Sequence, residues 1–334
     1  MIRITERDRT LFLKLAVTGW LSTSQLQYAF FPDVARKVLN KRLKKLTGAG
    51  YLTAVQFHRT EEKLYRLGLK GKNLIITETE FPEDKIYLSR RPPAQWNHFL
   101  AINTLRLAFE TEVHRRGGKI NFFLSDHELR KSQLKATIIP DALVRFTLFG
   151  NDYRLAIEYD NGTETLRYFL RSKILRYMDL LSSGIPIFGL SDFRVLIFTS
   201  TFKTASRLMK ACLNSPLPAG SFYFAVLPKE DPALVLSDIY IDPAAVLSGS
   251  KILWRHLEEL VFRTGVSMPH CEHDNPSIMN DMPPSKDPNI SIKKAEHFEL
   301  PTFAPEMFHP SLEDNILKSE EHEKQSLPTG AKIK

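Results

Sequence analysis

The sequence predicts an α+β protein of two folded domains followed by a disordered tail, and three observations carry that expectation. Residues 1–71 hold three amphipathic helical stretches and then two short β-patterned runs around a polar turn. Residues 96–262 run helix, three strands, helix, strand, helix, an order that suits an α/β core with late strands to follow. Residues 263–334 are rich in proline, serine and acids and lack any apolar period, the mark of a chain that buries too little to fold. Between the two domains, residues 72–95 read as an extended linker, because Arg90-Arg91-Pro92-Pro93 cannot be helical.

The totals bound the class. A chain of 334 residues with 43% hydrophobic content is long enough for two packed cores. Its first residues are charged, and no apolar run is long enough to span a bilayer, so a cytoplasmic protein with no membrane partner is expected. Only Cys212 and Cys271 are present, in unlike contexts, which excludes a disulfide framework or a zinc ribbon. The net charge of +8 is unevenly spread: residues 1–70 carry 14 Lys and Arg against 5 Asp and Glu, whereas residues 264–334 carry 7 against 12. The front of the chain is therefore the part suited to a polyanion.

Thr5-Glu6-Arg7-Asp8 reads as a helix start, with Thr5 as cap and Leu11, Phe12, Leu15 and Ala16 facing inward to a stop at Gly19. Ser22-Thr23-Ser24 opens a second helix that Pro32 ends. A third is expected over Val34 to Leu46, with Val38, Leu39, Leu43 and Leu46 inward and Arg36, Lys37, Lys41, Arg42, Lys44 and Lys45 around the rest. Six cations and no acid on one short helix would repel one another without purpose in a merely structural element. Tyr51 to Val55 and Lys63 to Leu67 then read as a hairpin. Three helices followed by a hairpin, the last helix basic, is the winged helix-turn-helix pattern. Resemblance to such domains places Arg36, Lys37, Asn40 and Lys41 nearest the base edges of double-stranded DNA. Arg42 belongs to the same basic face, and Lys44, Lys45 and Arg59 go to phosphates. A winged domain for protein contacts is the open alternative.

Trp96 to Arg116 has helical spacing closed by Gly117-Gly118, and it carries His98, Asn103, Glu110 and Glu112. Lys119 to Leu124 reads as a strand, with Asp126 and Glu128 as solvated loop acids beyond it. Ile138-Ile139-Pro140-Asp141 precedes an apolar run through Leu148, and a turn at Phe149-Gly150-Asn151-Asp152 pairs that run antiparallel with Tyr153 to Asp160. Alternation in Ile157-Glu158-Tyr159-Asp160 puts both acids on one face. Asp141, Glu158 and Asp160 thus gather at one end of the hairpin, an oxygen-only set suited to magnesium; acids merely solvated beside a turn are the other reading. A helix capped by Thr163 follows, with Leu166, Leu170, Ile174, Tyr177 and Leu181 as its apolar stripe and Lys173 inside that stripe. An ammonium there would suit the carboxylates or steady charge on a phosphate. Arg167, Arg171 and Arg176 form a second basic row. A strand over Arg194 to Thr199, a helix over Thr201 to Cys212, late strands over Ser221 to Leu227 and Ala233 to Ile241, and a short helix over Leu253 to Leu260 complete the reading. In the tail, His270-Cys271-Glu272-His273 has the composition of a metal knot without a second cluster to complete it.

These residues resemble the plasmid replication-relaxation family, whose second half is similar to a divergent PD-(D/E)xK nuclease domain. Pro140-Asp141 matches the first element of that motif and Glu158-Tyr159-Asp160 the second, the two acids standing 17 positions apart. The resemblance implies Asp141, Glu158, Asp160 and Lys173 as catalytic, the three acids holding Mg2+, and it matches His98 and Asn103 to a histidine and an asparagine at the start of the family's helix. The chain departs from the motif where lysine is expected two residues after the glutamate and Asp160 stands. Either Lys173 replaces that lysine from the neighbouring helix and the site cuts, or the site binds without cutting. The implied function is that of a DNA-binding protein of a mobile element, controlling its replication or transfer with replication or transfer proteins as partners. The alternative is a non-catalytic winged-helix transcription regulator whose second domain serves ligand sensing or homodimerisation.

Overall fold

The computed structural model describes residues 2–79, 81–87, 89, 91–132, 136–162, 164–212, 221–227, 232–236, 240–241 and 254–255. All of them fall in a single compact unit. The tail over 263–334, with its histidine and cysteine cluster, lies outside the described residues, as does Thr163.

The chain forms a mixed α+β fold with two sheets. Helix α1 (Glu6–Thr18) starts as its sequence requires. Thr5 and Asp8 exchange side-chain and backbone bonds in a capping box. Ser22 and Gln25 do the same for α2 (Thr23–Phe30). Helix α3 (Arg36–Gly48) begins two residues later than expected, and Val38 is 59% exposed rather than inward. The buried stripe is Leu39, Leu43 and Leu46, and Val38 lies about a quarter turn off it. Strands β2 (Leu52–Val55) and β3 (Leu64–Leu67) form the expected hairpin. A two-residue strand β1 (Leu21–Ser22) adds to the far edge of β3, giving the order β1-β3-β2.

The first part of the expected linker is instead helical: α4 (Leu69–Thr79) packs on α1, burying Gly71 and Ile75. No proline lies between Leu69 and Glu80, so none breaks the helix, and its entry is tight. A Cβ on Gly68 would come within 2.5 Å of the Gly50 carbonyl oxygen.

The second sheet has seven strands in the order β10-β9-β8-β7-β6-β5-β4. β4 (Lys119–Ser125), β5 (Ala142–Leu148) and β6 (Asn151–Asp160) are antiparallel, and β7 (Arg194–Thr199) and β8 (Phe222–Val226) continue parallel to β6. The β5–β6 turn is only Phe149-Gly150, both at positive φ, the geometry that lets a two-residue turn follow the sheet's twist. Helix α5 (Trp96–Arg115) covers one face, where Leu105, Phe109 and Val113 meet Val144, Leu155 and Ile157. The other face packs under α6 (Asp126–Lys131), α7 (Leu166–Phe169), α8 (Leu175–Ser183) and α9 (Phe202–Cys212).

Several expectations are corrected here. Asp126 and Glu128 are not loop acids but open α6. Glu128 closes a capping box with Ser125 and receives the buried Arg106 guanidinium. The cap of α7 is Thr165. Between α7 and α8 the chain widens into a π-helical segment, Leu170–Ile174. Pro232–Leu236 is a 3-10 helix, and among the described residues the late strand is β9 (Tyr240–Ile241). Trp254–Arg255, expected in a helix, is strand β10 paired to β9 through backbone bonds that no local pattern signals. No helix among the described residues is long and apolar enough to cross a membrane.

Candidate functional site

The hairpin register sets the site. Ala142 lies opposite Ile157, so Asp141, one residue before the paired strand, comes up against Glu158 on the face that α8 covers. Asp141 Oδ2 accepts the Tyr159 backbone N–H at 2.8 Å, which ties the end of one strand to its neighbour. Lys173 enters from the π segment: its Nζ lies 2.5 Å from Glu158 Oε2 and 4.0 Å from Asp141 Oδ1. Tyr177 Oη, one turn on, donates to Glu158 Oε1 at 2.6 Å. From the opposite face of the sheet, the first turn of α5 brings His98 Nε2 to 3.3 Å from Asp141 Oδ1.

Electrostatics follow from this crowding. Glu158 is nearly out of water, and burial with the charge of Asp141 pushes its carboxyl up to about 8, despite Lys173 and Tyr177. Burial also disfavours the charged forms of Asp141 and Lys173, but their partners prevail. Asp141 is held below the ordinary carboxylate range by His98, Lys173 and the Tyr159 N–H, and Lys173 is raised by Glu158 and Asp141. His98 is likewise raised, the Asp141 bond outweighing burial. Glu164, half-buried at the rim, is raised by burial and feels Lys173, Asp160, Asp141 and His98.

Asp141, Glu158 and Lys173 are therefore brought together. Asp160, on the same face as Glu158, is engaged separately. Its Oδ1 accepts the Gly162 N–H at 2.8 Å, and Arg207 lies 3.9 Å from its Oδ2. Among the described residues, no group of three or more His, Cys, Asp or Glu side chains is arranged to hold a metal ion. Two carboxylates remain, and their chemistry fits a hard cation. Each oxygen has one protein donor within 3.3 Å and a lone pair left over, and burial beside the charge of Asp141 raises Glu158 to about 8.

The sequence assigns His98 no role beyond its match to the family's histidine, because its partner is distant in the chain, and it does not single out Tyr177 or Glu164. Asn103 is structural: its side-chain amide donates to the Trp20 carbonyl at 2.9 Å and the Thr18 carbonyl at 3.3 Å. Glu110 pairs with Lys14 at 2.5 Å and Glu112 with Arg115 at 2.6 Å, so neither helix acid joins the site.

On α3, Lys37, Asn40, Lys41, Lys44 and Lys45 are exposed, and Arg59 is exposed between β2 and β3. Arg36 is tied to Gln27, Ser24 and Glu62. Arg42 turns back to the buried Asp8 and donates to the Arg3 carbonyl at 2.8 Å, so it belongs to the packing of α1 on α3. Arg167, Arg171 and Arg176 are exposed on α7, the π segment and α8.

A comparison with curated proteins finds no match. Among solved structures, the chain is similar to the restriction endonuclease FokI at 12% identity and a TM-score of 0.30, over 76% of this chain and 47% of that one. It is similar to FokI bound to DNA at 13% identity and a TM-score of 0.25, over 78% and 48%. The chain thus spans about half the length of those structures. The sequence model of the replication-relaxation family matches residues 13–186, more than half of the 334, and the chain belongs to that family.

Proposed function

We propose that this replication-relaxation protein binds double-stranded DNA of a mobile element through a winged helix-turn-helix and cleaves or nicks it at a PD-(D/E)xK-like site. One observation carries the reading. A lysine from the helix after the hairpin lies 2.5 Å from Glu158 and 4.0 Å from Asp141, so the amine missing from the motif at Asp160 is supplied in space. The exposed lysines of α3, and a three-stranded sheet beside α1–α3, support the winged-helix part.

Asp141 and Glu158 would hold the Mg2+, with water and phosphate oxygens completing its shell. When bound, the ion supplies an activated water and a Lewis acid for the phosphodiester. The chain's own residues do the rest. Tyr177 and Lys173 fix the two oxygens of Glu158, and the Lys173 ammonium would steady the charge that grows on the phosphate as its ester bond breaks. Asp160 braces the turn at Gly162 and Arg207 rather than binding the ion.

The test is nicking of supercoiled plasmid in Mg2+. Asp141→Ala and Glu158→Ala are each expected to lower the rate by about a hundredfold or more, and Lys173→Ala by a similar factor. Chelation is expected to abolish it. Nicking that survives both acid substitutions would sink the enzymatic reading. Duplex binding without any metal-dependent nicking would leave a non-catalytic regulator.

A further inference from the structure

We infer that His98 is a positioning residue for Asp141, an inference that rests on the proposed function and extends it to a side chain outside the acid-and-lysine motif. Asp141 stands just before β5, where its carbonyl accepts the Asp126 N–H at 2.9 Å, so its backbone is held and the orientation of its carboxylate is set by the partners of that side chain. A carboxylate fixed through one oxygen alone still turns about its Cβ–Cγ bond, because that torsion has a broad well. The Tyr159 N–H fixes Oδ2 at 2.8 Å, and the His98 ring, 3.3 Å from Oδ1, fixes the other. The oxygen that His98 addresses is also the one that lies 4.0 Å from Lys173. The histidine therefore sets the plane of Asp141 relative to Glu158 and the amine.

His98 is itself held. Its ring lies 5.5 Å from that of Tyr159, tilted by 57°. The helix that carries it is anchored along its length to the first part of the chain. Gln25 Nε2 donates to the Leu100 carbonyl at 2.7 Å and to Thr104 Oγ1 at 2.9 Å, and Asn103 and Glu110 hold the next turns. A residue presented from so fixed an element orients its neighbour without moving during the reaction, the usual means by which a supporting side chain keeps a ligand productive.

The experiment compares wild type, His98→Ala and His98→Gln as full chains. It reads kcat and KM for plasmid nicking, Mn2+ affinity by calorimetry, and Tm. For His98→Ala, kcat is expected to fall about ten- to a hundredfold and Mn2+ binding to weaken about tenfold, with KM and Tm unchanged. His98→Gln keeps a side-chain N–H donor for Asp141 and is expected to restore most of both losses. The inference is overturned if His98→Ala matches wild type in kcat and Mn2+ affinity. It is also overturned if His98→Gln is as impaired as His98→Ala, since the imidazole itself would then be required. A wild-type chain that neither nicks DNA nor binds Mn2+ overturns the proposed function, and this inference with it.

Discussion

Glu158 has two donors and almost no water, and the nearest charge beyond Lys173 is another carboxylate. The consequence is a pH dependence with a definite sign. Its carboxyl titrates at about 8 in the folded chain against an ordinary 4.5, so the folded state holds a proton that the unfolded state has released. Stability from this group is complete below about pH 4.5, falls as pH rises towards 8 and is level above that. The raised Lys173 acts only above its ordinary value of 10.5 and leaves this window untouched. In metal-free urea titrations, wild type is expected to lose a few kcal/mol relative to Glu158→Gln between about pH 4.5 and 8. Parallel stability curves for the two proteins would show that Glu158 is not held in this way. Arg42 makes the complementary point. It was read as part of a DNA face from its helix position, but the buried carboxylate of Asp8 claims it.

At the scale of elements, the π segment is what brings Lys173 to the acids. The buried positions on this stretch are Phe169, Ile174, Tyr177 and Leu180. The first interval is five residues, which a regular α-helix would turn about 140° out of line. A wide turn absorbs the surplus residue, and such turns recur at functional sites. Deleting Ser172 shortens the interval to four and permits a regular helix. The expected outcome is an unchanged or higher Tm with nicking down by about a hundredfold, since a shift of roughly 1 Å at a reacting group has that effect. A deletion variant that nicks at the wild-type rate would deny the wide turn a part in the site. The same segment marks where reading the sequence stops. Local chemistry was legible: Thr5 with Asp8, the hydroxyls at Ser22-Thr23-Ser24, the apolar run at Arg194 to Thr199, and Asp141 facing Glu158 across the hairpin, with Lys173 beside them. What was not legible depended on distant partners. His98 has no meaning until Asp141 arrives. β10 exists only through β9, and Glu128 looks like a loop acid until Arg106 is placed beside it. Helix α4 was hidden because its stripe buries only Ile75 and a glycine.

On the scale of the whole molecule, the exposed lysines of α3 and the acids Asp141 and Glu158 belong to one compact unit, joined through α5. The join combines an apolar contact at Leu107 with buried polar bonds. Asn103 and Gln25 are both buried and donate across it, and the buried Lys14 reaches Glu110. Buried amides of this kind cost about 1–3 kcal/mol each when a partner is lost, so the first part of the chain cannot swing freely on the second. If α3 reads the duplex, the acids must then meet the backbone at a set distance from the bound site. Mapping of nicked ends on a footprinted duplex is expected to give a single position, give or take a nucleotide. Asn103→Ala combined with Gln25→Ala loosens the join while leaving the exposed side chains of α3 and the acids themselves unsubstituted, and because the same bonds anchor the helix that carries His98, nicking is expected to slow as well. That double variant is expected to keep the footprint while its nicks spread over several positions. Nicks that stay sharp in the double variant would show that α5 does not set the spacing. Scattered nicks in the wild type would show that binding and cutting are not mechanically joined at all.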